Sequence, residues 1–246
     1  MFDPSVWTED IKALKYDWLT DGNIAFWEEY VASQELPPPV PSVNIRRWLE
    51  REILPQYPQA RIVLLRPSMA HLLMQTVDMK SAASALPSFN KVTHIFLPIN
   101  DSRDRWNADS GSHWSLLLVS VIDRVAFHYD SLGGANFSAA QRCADRLGRV
   151  LALPLRFHQL EDCPQQENSR DCGVFVCVLM RHLLVKRLLN ANSTEKVSMS
   201  MSGKAVDSHG GRKEMLKIVE SLRKEGERRR SASPYAGPSD EPPRID

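Results

Sequence analysis

Cysteine is scarce, four in 246 residues, so a disulfide framework is not expected. Long apolar runs are missing: the longest, Val174 to Met180, is far below the ~20 residues that span a bilayer. Excess charge is missing too. Thirty-one basic and 30 acidic side chains leave a net charge of +1, with no global pull toward nucleic acid or a membrane surface. Met1 to Lys12 carries Asp3, Glu9 and Asp10 and no apolar core, unlike an export signal. Free thiols in a reducing compartment, cytosolic or nuclear, are therefore expected. No internal repeat is found, which argues against solenoids and propellers.

What is present is ordinary for a globular domain: 43% apolar and 25% charged residues, in a length that one core can fill. A single domain over 1–230 is expected, with a serine-rich loop at 190–209 and a disordered Pro/Ser/Gly tail at 231–246. Charge is uneven along the chain. Residues 1–36 hold eight acids against two lysines, and residues 212–230 hold eight basic residues against four glutamates. Solvated faces and partner-directed patches both fit that pattern.

The apolar spacing predicts helices over 21–33, with Asp21 as cap, and over 42–54, separated by the prolines of Pro37 to Pro41. A short strand over 61–65 and helices over 68–76 and 79–86 follow. Four β-rich runs, 92–99, 114–121, 125–130 and 155–160, read as a sheet. Between the last two, Ser138 and Gln141 form a capping-box pattern for a helix to Val150. Residues 172–189 read as a helix that is apolar all round at its start, hence buried. An amphipathic helix is expected over 212–230. The fold class is α+β, a central mixed sheet flanked by helices.

A thiol nucleophile needs a base, an orienter for that base and donors for an oxyanion. Of the four cysteines, only Cys172 falls at a helix start, where free amides and the helix dipole favour a thiolate. Gly173 keeps space beside it, and Gln166, six residues earlier, offers an amide donor. His113 stands where a polar loop meets a strand. If the hairpin pairs residues whose numbers sum to about 246, Asp130 faces Leu116, with His113 roughly 10 Å further along. Taken alone, Asp171-Cys172-Gly173 also fits a small buried cysteine starting a core helix. A metal site from His158, Cys163, Cys172 and Cys177 lacks the short spacing of zinc knuckles.

In combination the pattern is more specific. His113-Trp114-Ser115-Leu116, then Tyr129-Asp130-Ser131, then Gln166 and Asp171-Cys172-Gly173, resembles the adenain-like cysteine proteases that process ubiquitin-like modifiers. Trp18-Leu19-Thr20-Asp21 resembles that family's Trp-Leu-Asn-Asp segment, Thr20 being a departure, and the likeness covers about 14–225. Phe96 to Asp101, His128 to Ser131 and Gln165 to Ser169 are most similar to the deneddylase branch. The resemblance implies a papain-like architecture with Cys172 as nucleophile, His113 as base, Asp130 as its orienter and Gln166 as oxyanion donor. It implies that Trp18 and Trp114 close a tunnel over the modifier's C-terminal glycines, and that Asp21 contacts the modifier or caps its helix. A monomer acting on a Nedd-type modifier and its cullin conjugates is expected, without cofactor, metal, nucleic acid or membrane. A SUMO protease and a non-catalytic modifier-binding adaptor are the alternatives.

Overall fold

A computed structural model describes residues 13–15, 17–20, 23–24, 61–104, 110–189, 197–217 and 224. Of the helix expected over 21–33 only Asn23 and Ile24 are described, both helical, and the helix expected over 42–54, the Pro37 to Pro41 run, Asp21 and the 231–246 tail lie outside the described residues.

The centre is a five-stranded sheet in sequence order: β1 (Ile62–Leu64), β2 (His94–Asn100), β3 (Trp114–Ser120), β4 (Val125–Tyr129) and β5 (Arg156–Gln159). The outer pairs are parallel and the inner pairs antiparallel, so the sheet is mixed. Every residue of β3 is buried. A strand covered on both faces reads as a continuous apolar run, and Trp114 to Ser120 does.

Side-chain alternation divides the core between the two faces. Ile95, Leu97, Ile99, Leu117 and Val119 pack with helices α1 (Pro67–Gln75), α2 (Met79–Ala85) and α3 (Phe137–Val150). Phe96, Trp114, Leu116 and Leu118 pack on the other face against α4 (Cys172–Arg181). The chain runs on from α4 in a wider π-helical turn, His182–Leu188. Residues 197–207 have no regular structure, and helix α5 (208–217) starts before the expected Arg212. Among the described residues no helix is long and apolar enough to cross a membrane.

Two local expectations need correction. The hairpin register sums to 245, with Leu116 opposite Tyr129. Helix α3 begins at Phe137 behind Asn136, which makes no side-chain cap, so Ser138 is inside the helix and the capping box is not the start signal. Near the N-terminus the Thr20 hydroxyl accepts the Asn23 amide at 3.1 Å.

Candidate active site

The register difference has a large geometric effect. A one-residue slip moves a side chain to the opposite face of a ribbon. With the sum at 245, Asp130 continues the ladder opposite Ser115, on the same side as His113. The two are then roughly 7 Å apart along the strand rather than 10 Å. Their side chains meet: His113 Nε2 lies 2.7 Å from Asp130 Oδ1, with both residues buried.

Asp130 is held as an acceptor. Its Oδ1 also takes the Leu132 amide and its Oδ2 the Asn136 amide, both at 2.8 Å. Burial works against its charge, but the His113 bond and these two amides outweigh it and keep the carboxyl below its ordinary range. The glycines after it permit the turn, since Gly133 and Gly134 have φ of 60° and 83°.

His113 is gripped from two further directions. Its amide donates to Asp101 Oδ1 at 2.9 Å, and the same carboxylate accepts the Ser112 hydroxyl, which closes the base of the polar loop. Its carbonyl accepts Asn136 Nδ2 at 3.1 Å. On the ring, Nε2 is committed to Asp130, which leaves Nδ1 as the nitrogen open to Cys172, a group that also raises the imidazole pKa. Burial alone would lower the imidazole pKa. Asp130 and Cys172 together overcome that and raise it to about 9.

Cys172 is the first residue of α4 and is 1% exposed. Asp171 precedes it without capping the helix, because its carboxylate is taken by Arg212 and by Asn168 Nδ2, each at 2.8 Å. The first-turn amides therefore receive no side-chain cap, the condition under which a helix start favours an anion. Gly173 has a packing reason as well. A Cβ there would lie 2.8 Å from Leu19 Cβ, so glycine lets the Trp18-Leu19 segment close onto the helix.

The remaining site residues fall around this line. Gln166 donates from Nε2 to the Asn168 carbonyl and accepts from the Ser131 hydroxyl at Oε1. Trp114 is buried and Trp18 partly buried, both in the same packed cluster as Cys172. The other thiols are less fit for attack, since burial pushes Cys143 and Cys163 each up to about 12. Among the described residues, no group of three His, Cys, Asp or Glu is arranged to hold a metal ion, His158, Cys163, Cys172 and Cys177 included.

Sequence reasoning gave no role to Asp101, Asn136, Ser115 or Arg212, which hold the site from behind. Ser115 Oγ joins Asn136 Nδ2 (3.2 Å) and His128 Nε2 (2.9 Å), and His128 is wholly buried. The one available signal was an asparagine just ahead of a helix, a residue type that favours helix starts.

The comparisons agree with this geometry. The C-terminal catalytic domain model of the Ulp1 protease family matches residues 43–210. "NEDD8-specific protease 2" of Schizosaccharomyces pombe is 35% identical over 83% of this chain, and "NEDD8-specific protease 1" of the same yeast 32% identical over 78%. This chain spans under half of those two relatives, 45% and 42% of their lengths. Human "Sentrin-specific protease 8" is 32% identical, over 65% of this chain and 67% of its own length. In structure, the SUMO protease Ulp1 with its catalytic cysteine oxidised to a sulfenic acid aligns over 87% of this chain and 83% of that one, with a TM-score of 0.56. At 18% identity that likeness shows the papain-like fold alone. The match over 43–210, which holds the imidazole of His113, the carboxylate of Asp130 and the thiol of Cys172 in that order, makes the chain a member of the Ulp1 family of cysteine proteases.

Proposed function

We propose that this chain is a thiol isopeptidase and endopeptidase that cuts after the C-terminal Gly-Gly of a Nedd-type ubiquitin-like modifier. It would release the modifier from cullin lysines, mature its precursor, or both. The carrying observation is the buried Asp130–His113 pair, with the Cys172 thiol acting on the same imidazole. His113 takes the proton of the Cys172 thiol, and the sulfur attacks the carbonyl carbon of the terminal glycine. The oxyanion is met by the Gln166 amide and the first-turn amides of α4. His113 then returns the proton to the leaving amine, and water hydrolyses the thioester. Asp130 holds the ring and favours its charged form throughout.

Trp18 and Trp114 serve as walls that admit only glycine. Preference for a Nedd-type modifier draws support from the names of the yeast relatives and from their identity to this chain. We place the protein in the cytosol or nucleus as a monomer, where its four free thiols suit a reducing compartment.

The test is a set of modifiers bearing a C-terminal electrophile. Covalent labelling of Cys172, fastest with the Nedd-type probe, is expected. Faster labelling by SUMO would shift the specificity, and tight binding without labelling would make the chain an adaptor. Cys172→Ala is expected to abolish cleavage of a Nedd-type fusion and to retain binding.

A further inference from the structure

The donor assigned to Gln166 works only if its amide presents nitrogen, not oxygen, to the developing charge. A primary amide is nearly symmetric in shape, so something must choose its orientation. Two contacts do so. The Asn168 carbonyl can only accept, and it lies 2.6 Å from Gln166 Nε2, which fixes the nitrogen on that side. Oε1 is then opposite, where the Ser131 hydroxyl donates to it at 2.7 Å. Ser131 holds the backbone as well, since its carbonyl accepts the Gln166 amide at 2.8 Å. Ser131 is itself 3% exposed, so water does not compete for the hydroxyl.

Flanking residues complete a zipper between the two segments. Gln165 Nε2 donates to the Asp130 carbonyl at 3.0 Å, and the Gly133 amide donates to Gln165 Oε1 at 2.7 Å. One dipeptide, Asp130-Ser131, thus addresses both halves of the chemistry. Its aspartate aligns the imidazole, and its serine aligns the amide. Only one of the two Nε2 hydrogens of Gln166 is used among the described residues, by Asn168. The other remains for an oxyanion.

We propose that Ser131 is a positioning residue that sets the orientation of the Gln166 amide and so its capacity to stabilise the oxyanion. This rests on reading Gln166 as the donor, and the test separates the two. Kinetics would be measured for Ser131→Ala, Gln166→Ala and the double variant, on whichever C-terminally fluorogenic modifier the unmodified protein cleaves fastest. Gln166→Ala is expected to lose ~10²–10³ in kcat. Ser131→Ala is expected to lose about tenfold in kcat, the worth of one hydrogen bond, with KM nearly unchanged. The double variant should match Gln166→Ala, because the serine acts through the amide. Ser131→Thr, which keeps the hydroxyl, should recover most of the rate.

A further loss from Ser131→Ala in the Gln166→Ala background, as large as in the unmodified protein, would overturn the proposal. So would a Ser131→Ala variant at full rate beside a slow Gln166→Ala. Full activity in Gln166→Ala would remove the donor reading, and this proposal with it. Ser131→Cys, nearly isosteric with a weaker donor, runs the same cycle should the alanine variant not fold.

Discussion

His113 keeps its proton because the Asp130 carboxylate bonded to Nε2 and the Cys172 thiol outweigh the burial that would remove it. With the imidazole raised to about 9, kcat/KM should fall as pH rises through that value and the imidazolium is lost. Asp130→Asn removes the main support for the charge. The alkaline limb should then move toward neutrality, and kcat/KM should drop by on the order of 10²–10⁴, read from a pH–rate profile. An unmoved limb would assign that ionisation to another group. Stability follows with its own signs. The imidazole's contribution is complete below its unfolded pKa of ~6.5 and fades as pH rises through about 9. The carboxylate's is present above ~3.9 and fades as pH falls through its depressed native value. At this scale the sequence was legible. A thiol at a helix start and a histidine at a strand end are candidates by chemistry, and the combined pattern of His113, Asp130, Gln166 and Cys172 singles them out by resemblance. Their supports were not, because the side chains of Asp101 and Asn136 meet backbone groups of His113 that any residue could supply and Ser131 meets the Gln166 amide, so only the fold decides which residue reaches them.

The starts of two helices explain most of the site at the level of elements, and both depart from ordinary capping. Asn136 stands at the cap position of α3 but spends its side chain elsewhere, on the carbonyls of Ile99 and His113. Asp171 stands at the cap position of α4 and spends its carboxylate on Arg212. Pattern reading misplaced the start of α3 because a capping box describes a helix end satisfying itself, whereas Asn136 serves neighbouring strands. The strands were legible to within two residues because alternation and β-branching repeat along each. The register was not, since it depends on a turn at Asp123 and Arg124 in which Arg124 adopts a φ of 55°. Asn136→Ala should leave two buried carbonyls short of a donor and lower stability by about 1–3 kcal/mol in urea unfolding. It should slow turnover as well, because His113 loses one of its backbone anchors. Gly173→Ala should destabilise by about 1–3 kcal/mol as the new methyl meets Leu19, and a KM increase larger than the fall in kcat should show the Trp18 segment displaced.

Across the whole molecule, residues far apart in sequence are tied at one point behind the nucleophile. Arg212 donates from Nε to Asp171 Oδ1 at 2.8 Å, from one terminal nitrogen to the Arg170 carbonyl and from the other to the carbonyls of Ala13 and Leu14. The start of the described chain, the segment before Cys172 and helix α5 therefore converge on one guanidinium. Burial disfavours the Asp171 charge, yet Ser208, Asn168 and Arg212 outweigh it and hold its pKa down. The planar guanidinium suits this task because it donates in several directions at once, which a lysine ammonium cannot reproduce. The matched catalytic domain ends at residue 210, two positions before this arginine. A chain cut after Gly210 should therefore keep every residue assigned to the chemistry and still lose stability. Arg212→Met offers the gentler version, preserving much of the packing while removing the charge. It should cost roughly 1.5–3 kcal/mol, the worth of a charge-assisted hydrogen bond, seen as a lower urea midpoint with an unchanged slope. Arg212→Lys should recover only part of that. An Arg212→Met protein as stable as the unmodified one would mean that apolar packing alone holds the Trp18-Leu19 segment against α4.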